Sequence, residues 1–326
     1  MGDNTGRNHL VGVDLGGTKI LAGVFDTKLQ TLGTTKLSTK PQRGSEAVIE
    51  RIARCVLDAI DECDLTAKQI RAVGIGAPGA VDPEQGEVVF APNLEWKDVP
   101  LVKELEKRLD VPVFLENDCK ACMLGVYEQE LKSKPRHVLG IFIGTGIGGA
   151  MIINGELYAG SSHTAGELGH MVIDVNGPKC SCGNKGCFEV FASRLALFRA
   201  IQAAVKNGEK SVLTEMLGDD LKDLRSGDIR KAIRRGDKVV EKIVEEAAEY
   251  IGIAIGNLVN ILNPQVVVLG GGVMEALSDE MMPAVVKSAK SQVLTGTLRN
   301  VDIIASKLGD NAGITGAAVL AREKTR

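Results

Sequence analysis

"LVGVDLGGTKILAGVFD", residues 10–26, joins two apolar runs through a glycine turn, and "HVLGIFIGTGIGGAMIINGELYAG", residues 137–160, repeats that plan. Apolar runs of this length predict strands, and the glycines predict tight turns between them. In each copy, further strand and helix patterns follow the hairpin. Two copies of the same opening therefore predict two α/β domains of similar plan.

Composition agrees with a large globular chain that binds a small molecule. The 326 residues suffice for a large core in two domains, and the apolar and charged fractions of 44% and 25% are ordinary. The net charge is only −3, and the 39 basic residues form no basic tract. We therefore expect no nucleic acid and no anionic membrane as partner.

The chain also predicts a cytoplasmic protein. Its first nine residues, "MGDNTGRNH", lack the apolar stretch of a signal peptide. The most apolar segment, residues 250–262, is too short for a membrane span and carries Asn257 and Asn260. Seven cysteines, an odd number, argue against a disulfide framework.

Periodicity places further elements between and after the hairpins. In the first half, we expect helices at about 45–62 and after Pro100, and strands within 71–82 and 111–118. The second half is mainly helical. There we expect a long helix from an N-cap at Asp237 to just before Pro264, a strand within 265–272, and a terminal helix at 312–324.

The second glycine turn, "GTGIGG" at 144–149, matches Gly-x-Gly-x-x-Gly, the dinucleotide-binding fingerprint. That fingerprint requires a helix directly after the turn, whereas "AMIING" here has a strand pattern. The sequence also lacks the Gly-x-x-x-x-Gly-Lys-Ser/Thr of a P-loop. Neither common nucleotide motif therefore explains these glycines.

The two glycine turns instead predict phosphate binding by exposed backbone N–H groups, because glycine lets an anion approach closely. Asp14 would bind a hydrated Mg²⁺, and Thr18 and Lys19 would contact phosphate. Alternatively, both are only tight turns. "GGGV" at 270–273, between a strand and a helix, is a weaker third candidate. The candidate nucleotide residues are Asp14, Gly16, Gly17, Thr18, Lys19, Gly144, Thr145, Gly146, Gly148, Gly271 and Gly272.

A metal site is predicted by "HMVIDVNGPKCSCGNKGC", residues 170–187. His170, Cys180, Cys182 and Cys187 supply four ligands, the usual complement of tetrahedral Zn²⁺. Four protein ligands leave no position for water or substrate, so the pattern indicates structural rather than catalytic zinc. Scattered buried thiols explain the pattern poorly, because glycines and polar residues surround the cysteines.

Asp118 follows a buried strand, where folds of this kind place ligand groups. It is either a general base or the N-cap of the next helix, and the residues alone favour the cap. The neighbouring Cys119-x-x-Cys122 resembles a redox motif. Two small side chains on a buried helix face explain this pair better than thiol chemistry.

Taken together, the motifs resemble those of the ROK family of sugar kinases and repressors. The resemblance rests on "DLGGTK", "GAPGAVD", "APNLEW", "END", "GTGIGG", "AGELGH" and "CSCGNKGCFE", in the family's order. It covers the chain from Asp14 to the final helix, and the set is most similar to that of bacterial glucokinases. The resemblance implies the two-lobed actin-like ATPase fold (ribonuclease H-like, hexokinase-like). We place a small α/β domain at 1–116, completed by the helix at 312–326, and a large domain with the zinc loop at 117–311.

For function, the resemblance implies ATP- and Mg²⁺-dependent phosphorylation of a hexose. The favoured reaction is the conversion of glucose to glucose 6-phosphate. Asp118 would be the general base, and zinc would hold the sugar carboxylates Glu167 and Glu189 in place. His170 would bind the metal through one ring nitrogen and sugar through the other, and Glu116 would be structural. A homodimer is implied. The implied sugar-binding residues are Gly79, Asn93, Asn117, Asp118, Glu167, His170 and Glu189.

Some alternatives stay open. The substrate could be N-acetylglucosamine, N-acetylmannosamine or mannose, and the donor could be polyphosphate. The chain could also be a non-catalytic sugar-responsive regulator. Repressors of the family carry a DNA-binding domain ahead of the first hairpin, and thirteen residues precede Asp14 here, so we do not expect DNA binding. The family commonly continues after the catalytic Asp with Ala-Asn, whereas Cys119 and Lys120 stand here.

Overall fold

The computed structural model describes residues 6–295 and 300–326, which form two compact units. Unit 1 consists of Met1–Lys134, Leu157–Ala165 and Asp310–Arg326, and unit 2 of Pro135–Glu156 and Gly166–Gly309. The first five residues of the predicted domain 1–116 lie outside the described residues. Among the described residues, no helix is long and apolar enough to cross a membrane.

The predicted hairpin opens a five-stranded sheet in unit 1. The sheet has the order β3-β2-β1-β4-β8, in which β1 pairs antiparallel with β2 and parallel with β4. A three-stranded sheet, β5-β6-β7, which the sequence patterns did not predict, follows β4. The strands are β1 (His9–Leu15), β2 (Lys19–Phe25), β3 (Thr31–Ser38), β4 (Ile70–Ala77), β5 (Ala80–Asp82), β6 (Glu87–Ala91), β7 (Trp96–Val99) and β8 (Val113–Asn117).

Helices of unit 1 match the predicted positions and bury their apolar positions in its core. The helices are α1 (Ser45–Asp61), α2 (Leu101–Leu109), α3 (Asp118–Gln129) and α10 (Asn311–Lys324). The predicted domain boundary after residue 116 would place α3 with the second domain. In the structure α3 belongs to unit 1, where it packs against α10.

The terminal helix α10 packs on the unit 1 sheet at very short range. A Cβ on Gly74 of β4 would lie 1.8 Å from the carbonyl oxygen of Ala317. Only glycine permits this approach, because real Cβ atoms do not come so close to a backbone oxygen. A Cβ on Gly12 of β1 would likewise lie 1.8 Å from the carbonyl oxygen of Ile314, so α10 packs directly on both β1 and β4.

Unit 2 repeats the plan, as the second hairpin predicted. Its sheet has the order β11-β10-β9-β12-β13, with β9 antiparallel to β10 and parallel to β12. Asp237 caps α8 as predicted, accepting hydrogen bonds from Val239 N and Val240 N. The elements are β9 (Val138–Ile143), β10 (Ile147–Ile153), β11 (Glu156–Leu157), α4 (Glu189–Ala192), α5 (Arg194–Lys206), α6 (Val212–Leu217), α7 (Ser226–Arg234), α8 (Lys238–Leu262), β12 (Val266–Gly270), α9 (Gly272–Gln292) and β13 (Asp302–Ala305).

Candidate active site and metal centre

The glycine turn of unit 1 is braced by a residue that no motif contains. Thr39 is fully buried, and its hydroxyl donates to the carbonyl of Gly16 at 2.6 Å. Its N–H donates to the carbonyl of Thr18 at 3.0 Å. Within the turn, Gly16 N donates to the carbonyl of Lys19 at 2.8 Å. These bonds hold the turn at the end of β1 in one conformation.

Three carboxylates and one ammonium group meet next to this turn. Burial, followed by the negative charge of Asp118, raises the pKa of Asp14 from 3.8 to about 7, although Lys19 acts in the opposite direction. Lys19 itself lies with Nζ 2.5 Å from Asp310 Oδ2, at the start of α10. The local negative charge therefore exceeds the positive charge. Oxygen donors with excess negative charge suit a hydrated Mg²⁺.

Asn117, and not Asp118, caps helix α3. Its Oδ1 accepts hydrogen bonds from Cys119 N at 3.0 Å and Lys120 N at 3.2 Å. Asp118 is the first residue of the helix, and its Oδ1 accepts from Cys119 N at 2.8 Å. The expectation that Asp118 is the cap is therefore wrong, because β8 ends at Asn117. Asp118 places its negative charge in the first helical turn, which is electrostatically favourable.

Gly79 and Asn93, two implied sugar ligands, make specific contacts within unit 1. Gly79 has φ 86°, and a Cβ there would lie 2.2 Å from the carbonyl oxygen of Phe90. Its own carbonyl accepts from Asn117 Nδ2 at 3.1 Å. Asn93 is exposed, and its carbonyl lies 3.3 Å from the position of a Cβ on Gly17. Internal packing is therefore enough to require glycine at position 79.

Lys120, which departs from the family's pattern, is buried rather than turned to solvent. Its side chain is 2% exposed, with Nζ 3.8 Å from Glu116 Oε1 and donating to the carbonyl of His163. Glu116 is also buried, and burial raises its pKa. Removing one partner of such a buried pair is strongly destabilising. We assign Lys120 and Glu116 to the internal structure of unit 1.

The surroundings of Cys122 do not favour redox chemistry at the Cys119-x-x-Cys122 sequence. Burial, with the charges of Asp14 and Asp118, holds the pKa of Cys122 well above its ordinary value. The thiol is therefore protonated at neutral pH, and thiolate is the reactive form. Cys119 and Cys122 are not joined by a disulfide.

The second glycine turn, between β9 and β10 in unit 2, is held by the start of helix α5. Gly144 N donates to the carbonyl of Gly146 at 2.9 Å, and Arg194 N donates to the carbonyl of Gly144 at 3.0 Å. The Arg194 guanidinium also donates to the hydroxyl of Thr145. Arg194 was not among the predicted residues, since neither of these two contacts is local in sequence.

Glu189 contacts the same turn directly. Its Oε2 accepts a hydrogen bond from Ile147 N at 2.9 Å. A Cβ on Gly146 would lie 2.1 Å from that oxygen, so a larger residue there would displace the Glu189 carboxylate. Glu189 was predicted as a sugar ligand, and its observed partner is the glycine turn. The carboxylate therefore fixes the turn on one side.

The third glycine segment begins a long helix beside this hairpin. Gly271 is the N-cap of the 21-residue helix α9, and a Cβ on it would lie 2.6 Å from the carbonyl of Ile143, the last residue of β9. A helix N-terminus attracts anions through its N–H groups and dipole. The N-terminus of α9 and the second glycine turn are thus neighbours, as phosphate binding would need.

The four predicted metal ligands form one cluster in unit 2. The ligand atoms of His170, Cys180, Cys182 and Cys187 all lie within 4.8 Å of one another. His170 Nδ1 is 3.7 Å from Cys180 Sγ, and Cys182 Sγ is 3.7 Å from Cys187 Sγ. Zn–S bonds of about 2.3 Å in a tetrahedron place two sulfurs roughly 3.8 Å apart. The donor types and these two spacings therefore fit a tetrahedral Zn²⁺.

Without a cation, the closely spaced thiols of this cluster disfavour ionisation of one another. Burial, with the neighbouring sulfurs of Cys182 and Cys180, raises the pKa of Cys187 to about 12. The N–H of Asn184, by contrast, lowers the pKa of the exposed Cys182. Three thiolates at this spacing repel one another unless a metal ion compensates their charge.

The two predicted sugar carboxylates of unit 2, Glu167 and Glu189, flank the metal ligands in the sequence. Glu167 is exposed and directly precedes the helical turn Leu168–His170. The backbones of Cys187 and Val172 form an isolated antiparallel β-bridge, and Phe188 N donates to the carbonyl of Met171 at 2.7 Å. This pairing joins the segment after His170 to the segment that begins with Cys187. One ion would therefore brace the segments that carry Glu167 and Glu189.

The chain belongs to the ROK family, whose model matches residues 10–324. This finding confirms the resemblance drawn from the motifs. The fold is the two-lobed actin-like ATPase fold, and the repeated hairpin-and-strand plan of the two units agrees with it.

Its relatives include enzymes and regulators. Glucokinase of Thermotoga maritima is 34% identical, over 97% of this chain and 98% of that protein, and glucokinase of Streptomyces coelicolor is 38% identical, over 96% and 97%. The xylose repressor of Caldicellulosiruptor bescii is 29% identical, over 97% of this chain and 79% of the repressor. The crystal structure of a ROK family glucokinase from Streptomyces griseus in complex with glucose and AMPPNP matches with a TM-score of 0.85 at 34% identity, covering 97% of this chain and 99% of that one.

Proposed function

We propose that the protein is an ATP- and Mg²⁺-dependent hexose kinase that converts glucose to glucose 6-phosphate. The observation that carries the proposal is the buried Asp14 beside the first glycine turn of unit 1, close enough to Asp118 for their charges to interact. Phosphoryl transfer to a hydroxyl requires a proton acceptor and compensation of phosphate charge. The glucose- and AMPPNP-bound ROK glucokinase of S. griseus supports both substrates.

In this mechanism Asp118 acts as general base. The 6-hydroxyl oxygen of the sugar forms a bond to the γ-phosphorus of ATP while the bond from that phosphorus to the β–γ bridging oxygen breaks. The hydroxyl proton passes to the carboxylate of Asp118, and ADP leaves with the bridging oxygen. Asn117 holds the start of α3, and thereby the backbone of Asp118, through its two cap hydrogen bonds. Positioning of this kind supplies much of the rate enhancement in such reactions.

The remaining predicted residues would bind and orient the substrates. Asp14 would hold Mg²⁺ through water, and a bound Mg²⁺ neutralises phosphate charge during transfer. The two glycine turns and the N-terminus of α9 would receive the phosphates through backbone N–H groups. Glu167, His170 and Glu189 in unit 2, and Gly79, Asn93 and Asn117 in unit 1, remain predicted sugar ligands.

We also propose a structural Zn²⁺ on His170, Cys180, Cys182 and Cys187, with no role as Lewis acid. All four ligands come from the protein, and a closed tetrahedron leaves no position for substrate. His170 turns Nδ1 toward Cys180, so its Nε2 can serve the sugar as predicted. Reduced thiols at this site suit the cytoplasm, the predicted location.

The proposal is tested by measuring ADP release with Mg²⁺-ATP across glucose, mannose, N-acetylglucosamine and N-acetylmannosamine. We expect the highest kcat/KM with glucose, because the glucokinase relatives span nearly the whole chain. A preference for an N-acetyl sugar would retain the mechanism and change the substrate. Absence of sugar-dependent turnover would contradict the kinase and favour a sugar-responsive regulator, a class to which the repressor relative belongs.

The contact between Glu189 and the second glycine turn predicts an effect on ATP. Glu189→Ala removes the acceptor of Ile147 N and leaves that N–H without its partner, so KM for ATP should rise by about tenfold. Glu189→Gln keeps an oxygen acceptor and should raise it much less. Steady-state kinetics at saturating glucose provide the measurement.

Glu167→Ala is the matched control for this prediction. Glu167 is the other predicted sugar carboxylate of unit 2, but it is exposed, and among the described residues its side chain makes no hydrogen bond to the turn. We expect Glu167→Ala to raise KM for glucose and leave KM for ATP unchanged. Equal ATP effects in the Glu167 and Glu189 variants would contradict a specific role of Glu189 at the turn.

A further inference from the structure

A cavity of about 240 Å³ in unit 1 lies at the amino-terminal edge of the sheet. It is formed by the start of β1, the turn after β2, the start of β4 and the end of α10. Three of its six lining residues are arginines, and none of the six is acidic. The lining residues are Asn8, Leu10, Thr27, Arg71, Arg322 and Arg326.

One guanidinium of this cavity has an unsatisfied donor. The Arg322 side chain is 16% exposed, and its Nη1 lies 3.0 Å from Glu128 Oε1. Its Nε is buried and has no acceptor among the described residues. A buried charged donor without an acceptor is unfavourable, and this donor belongs to a side chain that lines the cavity.

The other charges around the cavity leave it positive. Arg71 donates to the carbonyl of Thr325, a neutral acceptor that does not offset its charge. Glu128 compensates Arg322, and Glu323 lies close enough to Arg322 and Arg326 for their charges to act on it. Burial raises the pKa of Glu323 while Arg322 and Arg326 act in the opposite direction, so two carboxylates face the three arginines of the cavity. An anionic ligand would supply the missing charge.

We propose that this cavity binds a small phosphate-class oxyanion, either inorganic phosphate or a phosphate ester. Its oxygens accept hydrogen bonds from Nε of Arg322 and from the guanidinium of Arg71. Guanidinium groups match phosphate oxygens in geometry and remain charged at every physiological pH. The volume suits a small anion rather than a nucleotide, since pockets for drug-sized ligands span roughly 300–1,000 Å³.

The anion site is separate from the proposed catalytic residues of unit 1. Strand β1 (His9–Leu15) begins beside the cavity and carries Asp14 near its other end. Asp14 lies five residue steps along the extended strand from His9, a distance of roughly 16 Å. Helix α10 makes the same connection, because it carries Arg322 at the cavity, while a Cβ on Gly313 would lie 2.9 Å from Asp14 Cγ.

The test is NMR of the full chain with ¹⁵N-labelled arginine, titrated with inorganic phosphate, glucose 6-phosphate or acetate. We expect a saturable shift of the Arg322 Nε–H resonance with phosphate or its ester, and a much weaker response to acetate. Arg71→Gln should weaken phosphate binding by about tenfold, because it removes one charged pair. This resonance reports the cavity alone, so phosphate bound at another site does not imitate the result.

Arg54→Gln provides the control. Arg54 is an exposed arginine of α1, so this substitution removes the same charge outside the cavity. It should bind phosphate like the parent. Equal losses in the two variants would indicate general charge attraction and overturn the proposal, as would an unresponsive Arg322 resonance. If Arg71→Gln unfolds, Arg71→Lys can replace it. Lysine keeps the positive charge but lacks the planar guanidinium donors, so this variant should still bind phosphate more weakly than the parent. Parent-like binding by Arg71→Lys would likewise overturn it.

Discussion

Asp118→Asn is expected to lower kcat for glucose phosphorylation by about 10³-fold, within the range that a positioned general base contributes. The amide cannot accept the hydroxyl proton at neutral pH. It retains an oxygen that can accept from Cys119 N, the hydrogen bond that Asp118 makes at 2.8 Å. The helix start should therefore survive, and KM for glucose should change far less than kcat. Steady-state ADP release and a thermal melt measure the two effects.

Asp110→Asn is the matched control for this substitution. Asp110 is exposed and ends α2 in the left-handed region at φ 52°, which asparagine also tolerates. It should leave kcat and melting temperature unchanged. An Asp118→Asn enzyme within tenfold of the parent rate would show that Asp118 is not the base. It would leave ATP-dependent sugar phosphorylation itself intact.

Removal of the metal is expected to affect both stability and catalysis. Chelation, or Cys187→Ser, should lower the melting temperature by roughly 10 °C, since a closed structural site contributes several kcal/mol to folding. It should also lower kcat/KM for glucose by about 100-fold, because the segments carrying Glu167 and Glu189 lose their common brace. Metal analysis, thermal melts and kinetics test these effects together.

Cys63→Ser controls for the loss of a thiol elsewhere, because Cys63 is half-buried in unit 1 and outside the cluster. It should retain bound zinc and parent-like activity. Readdition of Zn²⁺ to the chelated protein should restore both the melting temperature and the rate. A metal-free protein with full activity and an unchanged melting temperature would refute the structural role. Co²⁺ in place of Zn²⁺ adds a spectroscopic check of tetrahedral thiolate coordination.

Local sequence was sufficient for most of the elements that position the site. The hairpin of residues 10–26, the helix α1 and the cap of α8 at Asp237 all occur as predicted. Their signals are local, because turn glycines, apolar spacing and caps act within a few residues. The candidate metal ligands could also be predicted from the sequence, because three of the four lie within eight residues and their chemistry is specific.

Contacts between distant parts of the chain could not be predicted from local sequence. Lys19 was predicted for phosphate, yet Asp310 from the far end of the chain lies against it. Thr39 holds the first glycine turn without belonging to a motif. Arg194 and Glu189 hold the second turn. Glu189 belongs to the motif CSCGNKGCFE, but that motif does not show its contact with the turn. Asp310, Thr39 and Arg194 leave no periodic or motif signal, because each contact depends on the packing of separate elements.

By itself, the sequence determined the family, the repeated hairpin plan, the His/Cys set of the candidate metal site and the chemical types of residue at the candidate active site. Those properties depend on residue identity and short spacing. Only the tertiary structure decided that Asn117 caps α3, that α3 belongs to unit 1, and that Glu189 accepts from Ile147 N. These outcomes depend on where β8 ends and on which surfaces close packing brings together, and short-range patterns do not encode either.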